Sequence, residues 1–171
     1  MDFFEVIKTR HSYRGVYTDA PIPEDDLVKI VDAGLRAPSG CNGQTTDFII
    51  VTNAEMRKEL ALIVKSDAIR TAPAIIVAVT QKHTFDFGLD FEVEDYAAAV
   101  SHILLAAAAL GYAACWYDGE TRLGGCDAAV AGLLGTPQDR HVRTLIPVGI
   151  PEQPGKQAPR KPFDERVTWR R

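Results

Sequence analysis

The sequence predicts a domain of mixed class, α/β or α+β, because helical and strand-like segments alternate along the chain. Apolar residues recur at helical spacing in some segments and form short continuous runs in others, with Gly, Pro, Ser and Asn between them. The 171 residues, of which 46% are hydrophobic, suffice for one domain with a buried core, and two independent domains are not expected. No repeat of about 20 to 50 residues is visible, which argues against a solenoid.

Two helices are expected in the N-terminal part of the chain. Asp2 and Glu5 are typical of a helix start, and this helix leads into a polar cluster at residues 10–14, Arg-His-Ser-Tyr-Arg. Acidic residues 24–26 favour a second helix start, because negative charge is stabilised at a helix N-terminus. Pro38 closes this second helix, because proline disfavours helical backbone at the residue before it.

A strand, a helix and a second strand follow. Asp47 to Thr52 and Ala74 to Thr80 are rich in β-branched and apolar residues, and we expect both to be buried strands. Asn53 is expected to cap the helix between them, because its side chain can accept a hydrogen bond from an N–H of the first turn.

In the second half of the chain, the residue types of each segment predict its secondary structure. Residues 81–94 have no clear period and contain three phenylalanines, so we expect a loop or a short excursion over a pocket or an interface. Asp95 to Leu110 is apolar on nearly every face, which predicts a helix packed closely on all sides. The remaining elements are a strand over Tyr112–Tyr117, a short helix near Asp127–Leu134 capped by Asp127, a strand over Val142–Gly149, and a polar, proline-rich tail after Pro151.

Charge and cysteine content narrow the range of partners. A net charge of -4 at pH 7 provides no broad attraction for nucleic acid or anionic lipid, so neither is an expected partner. The most apolar run, Tyr96 to Leu110, is shorter than the roughly 20 residues that cross a bilayer. Three cysteines without a C-x-x-C pair, and an N-terminus without a signal-peptide pattern, predict a reducing, cytoplasmic location.

Several common catalytic motifs are absent from the sequence. It contains no G-x-G-x-x-G, G-x-S-x-G or H-E-x-x-H pattern. Residues 149–156 only resemble a P-loop, because their glycines are one residue too far apart. The four histidines share no ligand spacing with the cysteines, so no metal site is expected.

Two polar segments remain as candidate binding sites. Arg10, Ser12 and Arg14 place two guanidinium groups and a hydroxyl close together, which suits a phosphate because guanidinium binds its oxygens bidentately. The same arginines could instead cap helix carbonyls or stay solvated. Residues 37–44, Ala-Pro-Ser-Gly-Cys-Asn-Gly-Gln, carry amides that could bind the edge of a heteroaromatic ring, although this composition is also that of an ordinary turn.

Taken together, these segments resemble the nitroreductase family. The matching pieces follow the family's order along nearly the whole chain: Arg10-His11-Ser12-x-Arg14, Pro38-Ser39-x-x-Asn42-x-Gln44, the helix from Glu94-Asp95 to Leu110-Gly111, Cys115-Trp116-Tyr117-Asp118-Gly119, Pro147-Val148-Gly149, and Arg160 followed by Pro162 and Glu165.

The resemblance implies an α+β fold of three layers, with a largely antiparallel central sheet flanked by helices. It also implies an intertwined homodimer with two FMN sites at the interface, where the helix Asp95–Leu110 would lie. Residues 1–171 would form a single FMN-binding domain whose tail, residues 151–171, extends along the dimer.

The resemblance assigns three groups of residues to the cofactor. The groups that would hold the phosphate and ribityl chain, or adjoin them, are Arg10, His11, Ser12, Arg14 and Arg160. The partner subunit would supply the loop at the isoalloxazine ring, with Pro38, Ser39, Gly40, Asn42 and Gln44. Backbone N–H groups beside the ring would come from the segment that includes Tyr117, Asp118 and Gly119, although Trp116 and Tyr117 could equally be core residues of a strand.

The implied activity is that of an FMN-dependent oxidoreductase. NADH or NADPH would supply the reducing equivalents, and a nitroaromatic, a quinone, a flavin or another small acceptor would receive them in a ping-pong cycle without a catalytic side chain or a metal. One alternative is a non-catalytic FMN-binding or redox-sensing module in which Cys41 is the reporting thiol. Another is a specialised flavin enzyme of this fold, for reductive dehalogenation or flavin modification.

Two departures from the family pattern leave the acceptor open. Thr45-Thr46 stands where many relatives have Pro-Trp. The segment 81–94 is also shorter than the helical excursion that covers the pocket of larger members.

Overall fold

The computed structural model describes residues 2–171. These residues form six α-helices, α1 (Phe3–Thr9), α2 (Glu24–Leu35), α3 (Ala54–Val64), α4 (Asp67–Thr71), α5 (Glu92–Ala109) and α6 (Cys126–Leu134). They also form four strands, β1 (Thr46–Val51), β2 (Ala74–Gln81), β3 (Ala113–Ala114) and β4 (Arg140–Gly149), and three short 3-10 helices, Gly40–Asn42, Glu120–Arg122 and Phe163–Glu165.

The strands form one sheet in the order β1-β2-β4-β3, and every neighbouring pair is antiparallel. The central strand β2 alternates between the two faces of the sheet, as a strand must. Ile75 and Val77 belong to the core on one face, and Ile76 and Ala78 belong to the core on the other. The expected largely antiparallel sheet is therefore confirmed.

Helices cover both faces of the sheet and produce three layers. Leu60 of α3, Ile69 of α4 and Val130 of α6 are buried in the first core. Ile30 of α2 and Ile103 of α5 are buried in the second core, and α1 packs on α5. The predicted α+β class is confirmed, and the helix α5 lies against the sheet next to both candidate segments.

The last-but-one strand is shorter than predicted. β3 pairs with β4 only at Ala113–Ala114, and Tyr117 forms a separate bridge with Leu145 in the same register. This register places Cys115 opposite Pro147, whose nitrogen carries no hydrogen to donate. The hydrogen-bond ladder is therefore interrupted between the two pairings.

Helix boundaries were predicted with mixed success. The cap by Asn53 is confirmed, because its side chain accepts from the N–H of Met56 at 3.0 Å. The cap by Asp127 is wrong: α6 begins one residue earlier, after Gly125, and Asp127 lies in its first turn. The helix α5 begins at Glu92, so the end of the predicted loop is helical. The five-residue helix α4 is too short to produce a recognisable apolar period.

The helix α5 is buried on one face and partly exposed on the other within this chain. Val93 of α5 and Leu110, which caps its C-terminus, are 54% and 39% exposed, and Phe3 and Phe4 of the neighbouring α1 are 61% and 67% exposed. The packing on all sides expected from the sequence is therefore not reached by one chain. Within residues 2–171, no helix has both the length and the apolar character needed to cross a membrane.

Candidate functional site

Three arginines form a cluster of positive charge at the end of α1. Arg10 is the C-cap residue of α1 and is half-buried. Burial lowers the pKa of Arg10, and the nearby charge of Arg160 lowers it further. Arg14 lies near the same place in the fold, since the positive charges of Arg14 and Arg10 both favour the ionised form of the buried Cys115 thiol and so limit the rise of its pKa. Within residues 2–171, none of these three guanidinium groups forms an ion pair.

The backbone around the cluster is fixed by the sheet and by the tail. Ser12 forms a bridge with Ala114 of β3, next to the buried Cys115, whose thiol contacts the Trp116 carbonyl oxygen at 3.7 Å. Burial raises the pKa of that thiol, whereas the arginines and Ser12 oppose the rise. The tail returns to this place through Gln157, whose side-chain amide donates to the carbonyl of Arg10 at 2.8 Å. Sequence reasoning missed the supporting role of Gln157, because its partner is distant in the chain.

His11 lies in the same region and lines one cavity together with Arg10. Its Nδ1 is 3.0 Å from the carbonyl oxygen of Thr9, and its Nε2 is buried without a partner within residues 2–171. Gly155 faces the imidazole so closely that a Cβ at this position would collide with the ring. Glycine at position 155 is therefore required for the close approach of the tail to His11.

The second candidate segment, residues 38–44, is a loop with an unusual backbone between α2 and β1. Cys41, Asn42 and Gln44 have φ angles of 50°, 54° and 49°. These angles lie in the left-handed region, which costs a non-glycine residue about 1 kcal/mol or more. Strain of this kind is concentrated at functional sites, where the surrounding structure enforces it.

The loop presents polar groups on its outer side. Ser39 is half-buried, and its Oγ accepts from the N–H of Gln44 at 3.1 Å. The side-chain amides of Asn42 and Gln44 are exposed and have no hydrogen-bond partner within residues 2–171, and Pro38 is also exposed. These amides are free to bind the polar edge of a ligand.

The helix α5 and the segment before it contact the loop and hold it in place. Asp95 of α5 is buried and accepts hydrogen bonds from the Gly40 N–H at 2.7 Å and from the Thr45 hydroxyl at 2.8 Å. The Phe91 ring packs against Gly40, where a Cβ would collide with it. Phe85 lies against Gly43, so the aromatic segment before α5 covers this loop. Sequence reasoning missed Asp95, because an acidic residue near a helix start is ordinarily explained by the helix dipole.

The segment 116–119 divides its residues between the core and the surface. The Tyr117 side chain packs against the core and accepts from the Ser66 hydroxyl at 2.8 Å, and its backbone pairs with Leu145. The carboxylate of Asp118 pairs with Arg122 at 2.7 Å. Within residues 2–171, the backbone N–H groups of Asp118 and Gly119 have no acceptor. The structure thus leaves two free backbone donors here, whereas the backbone N–H of Tyr117 already donates to the Leu145 carbonyl.

The two polar segments lie toward opposite ends of α5. Asp95, near its N-terminus, contacts the loop, whereas Ala108, near its C-terminus, lines the same cavity as Arg10 and His11. A helix rises 1.5 Å per residue, so these ends are separated by roughly 20 Å. Within residues 2–171, no hydrogen bond, ion pair or ring contact joins the loop to the arginine cluster.

Comparison with known proteins identifies the family. The family model described as the nitroreductase family matches residues 7–69 and 63–150. A protein of Archaeoglobus fulgidus, provisionally named an NADH dehydrogenase/NAD(P)H nitroreductase, is 34% identical over 152 residues that cover 86% of this chain and 84% of that protein.

Two solved structures agree with this assignment. A nitroreductase family protein from Clostridium novyi NT is 30% identical, with a TM-score of 0.77 and coverage of 89% of this chain and 86% of the other. An FMN-dependent nitroreductase from Clostridium difficile R20291 is 26% identical, with a TM-score of 0.84 and coverage of 98% and 99%. The resemblance found in the motifs is confirmed, and the chain belongs to the nitroreductase family.

Proposed function

We propose that this chain is an FMN-dependent oxidoreductase that takes reducing equivalents from NADH or NADPH and passes them to a small acceptor, such as a nitroaromatic, a quinone or a flavin. The cofactor is FMN, the group named for the related nitroreductase of Clostridium difficile. The observation that carries the proposal is the cluster of Arg10, Arg14 and Arg160, which holds three positive charges without an acidic partner in residues 2–171.

The arginine cluster fits the phosphate of FMN in charge and in chemistry. A phosphate offers several oxygen acceptors, and guanidinium groups bind such oxygens through paired N–H donors. The Ser12 hydroxyl lies in the same segment and adds a donor of its own. Clustered like charges at a partly buried position are unfavourable by themselves, so a bound dianion would relieve the repulsion.

The remaining polar groups fit a flat heteroaromatic ring. When bound, FMN would supply the hydride chemistry. Asp118 and Gly119 would donate their free N–H groups to the ring and stabilise negative charge on it. Arg122 holds the Asp118 carboxylate, which fixes the orientation of this peptide segment. The exposed amides of Asn42 and Gln44 would bind the polar edge of a ring that a second chain holds by its phosphate.

The working unit is proposed to be a homodimer that shares its two sites. The arginine cluster and the loop lie toward opposite ends of α5, so a two-fold axis near α5 would bring the loop of one chain to the cluster of the other. The exposed apolar side chains of α1 and α5 would be buried in that interface. Phe163 and Trp169 of the tail are 60% and 65% exposed, which suits a tail that extends along the partner.

Anaerobic reduction is the direct test of the activity. The purified protein is expected to be yellow, to contain about one FMN per chain, and to run as a dimer. NADH or NADPH should bleach the flavin absorption, and an added quinone should restore it over repeated cycles. A colourless protein that does not bind added FMN would contradict the proposal, and bound FMN that neither nicotinamide reduces would favour a non-catalytic module.

A further inference from the structure

We infer that Asp95 is a positioning residue that holds the loop of residues 39–45 in its left-handed conformation and thereby sets the affinity of the site for the flavin ring. The inference rests on the proposed function, in which this loop binds the ring. Asp95 itself touches neither the phosphate cluster nor the exposed amides of the loop, so its effect would pass through the loop backbone.

The contacts of Asp95 enclose the strained part of the loop. Oδ1 accepts from the Gly40 N–H at 2.7 Å, and Oδ2 accepts from the Thr45 hydroxyl at 2.8 Å. Between these two donors lie Cys41, Asn42 and Gln44, three of the four non-glycine residues with positive φ in residues 2–171. One carboxylate therefore fixes the chain on both sides of the unfavourable backbone.

Apart from the Gln81 N–H, which donates to the Thr45 carbonyl at 2.9 Å and connects the end of the loop to β2, the backbone hydrogen bonds of the loop do not fix it to the rest of the protein. The N–H of Asn42 donates to the Ser39 carbonyl at 3.0 Å, and the N–H of Gly43 donates to the Gly40 carbonyl at 2.8 Å. Both bonds begin and end inside the loop. The two bonds to Asp95 instead connect the loop to α5, which is packed against the sheet.

The burial of Asp95 makes this connection strong. Asp95 is only 4% exposed, and its carboxylate forms no ion pair within residues 2–171. A buried carboxylate requires hydrogen-bond donors, and the two donors here both come from the loop. The first turn of α5 also stabilises the negative charge, because its N–H groups point toward the N-terminus. Displacement of the loop would leave a buried charge without its donors, so the loop is held in place.

The next residue of α5 connects the same helical turn to the other ring-binding segment. The Tyr96 ring contacts the edge of Trp116 with centroids 5.8 Å apart, and its hydroxyl accepts from Arg122 at 3.2 Å. Arg122 in turn pairs with Asp118. The N-terminal turn of α5 therefore supports both segments that are proposed to meet the ring.

Three substitutions separate positioning from general stability. Asp95→Ala removes both bonds to the loop and should raise the Kd for FMN about tenfold or more, with faster amide exchange at residues 40–45. Asp95→Asn should stay within about threefold of the parent, because its oxygen can accept from Gly40 and its amide can donate to Thr45. Val64→Ala is the control, since it removes buried volume from α3, which lies in the other core.

The measurements are FMN fluorescence titration, the visible absorption spectrum of the bound flavin, and hydrogen exchange of the loop in protein without flavin. Val64→Ala should change none of the three, although it lowers overall stability. If Asp95→Ala showed the same Kd for FMN and the same rate of loop amide exchange as Val64→Ala, the inference would be overturned. Failure of the parent itself to bind FMN would contradict the proposed function, while the exchange data would still test whether Asp95 holds the loop.

A second pair of variants covers the case in which Asp95→Ala does not fold. Thr45→Val keeps the side-chain shape but removes the hydroxyl, and it should raise the Kd for FMN several-fold with faster loop exchange. Thr45→Ser keeps the hydroxyl and should restore the parent values. Equal behaviour of Thr45→Val and Thr45→Ser would refute the inference.

Discussion

Arg10 and Arg160 are close enough for their charges to interact, and burial together with the charge of Arg160 lowers the pKa of Arg10. Gln157 accounts for this proximity, because its amide binds the Arg10 carbonyl and brings the tail back to α1. Within residues 2–171, no acidic side chain pairs with either arginine. The chain thus assembles a cationic site from two distant segments, and an anionic ligand would stabilise it.

The first prediction concerns these two arginines. Arg10→Ala and Arg160→Ala should each weaken FMN binding by about 2 kcal/mol, because each removes a charge-assisted contact to the phosphate. Without FMN, Arg160→Ala should not reduce stability, since it relieves repulsion with Arg10. Fluorescence titration and urea unfolding measure the two effects, with Lys58→Ala as the matched surface control. An unchanged Kd in both arginine variants would show that the phosphate binds elsewhere.

The second prediction is a pH dependence of stability that arises at Glu92. Burial would raise the pKa of Glu92, but hydrogen bonds from Thr80 and Arg143 and the charge of Arg143 outweigh it, so the pKa lies below its ordinary value. A group with a lowered folded-state pKa stabilises the protein above its unfolded pKa, about 4.3, and this contribution is lost as pH falls through the folded pKa.

Urea unfolding at two pH values tests this relationship. Glu92→Gln should be less stable than the parent at pH 7 by about 1 to 2 kcal/mol, and the difference should shrink as the pH falls below about 4. Arg143→Met should cost more, about 3 kcal/mol, because it leaves Glu92 buried without its charged partner. If the difference in unfolding free energy between the parent and Glu92→Gln were the same at both pH values, the pH dependence could not arise at Glu92.

The local parts of the site could be predicted from the sequence, and the contacts between them could not. The arginine segment and the amide-rich loop are each short stretches whose residue types suit a phosphate and a ring. Asp95 and Gly40 are 55 residues apart, and their contact depends on how α5 packs on the sheet. Hydrophobic spacing predicts that α5 is buried, but it does not predict which loop its first turn meets.

The same limit applies to the strands. β1, β2 and β4 were predicted from runs of β-branched residues, because such runs suit a buried sheet. The strand predicted over Tyr112–Tyr117 is also present, but β3 is shorter than predicted, since its length depends on the register that places Cys115 opposite Pro147. Which residues pair across two strands is decided only in the folded sheet. Pro147 in β4 can therefore shorten β3, although nothing in the sequence of β3 itself indicates it.

The third prediction concerns the exposed cysteine of the loop. Cys41→Ser should leave steady-state nicotinamide oxidation within about three-fold of the parent, because the proposed hydride path does not involve a thiol. Cys41 has a φ of 50°, and serine accepts the same backbone at similar cost. Loss of turnover with FMN still bound would instead assign a redox role to this thiol.

The shared site is the central claim, and complementation tests it most directly. One variant carries Arg10→Ala and Arg14→Ala, the other carries Ser39→Ala and Asn42→Ala, and each should fold but bind FMN poorly. A mixed dimer of the two has one site with both defects and one site with neither, as two-fold symmetry requires. If half of the dimers are mixed, about a quarter of all sites become intact, and bound FMN and activity should recover toward that fraction. No recovery on co-refolding, with mixed dimers demonstrated by tag pull-down, would contradict the shared site, because a site built by one chain alone always keeps a defect.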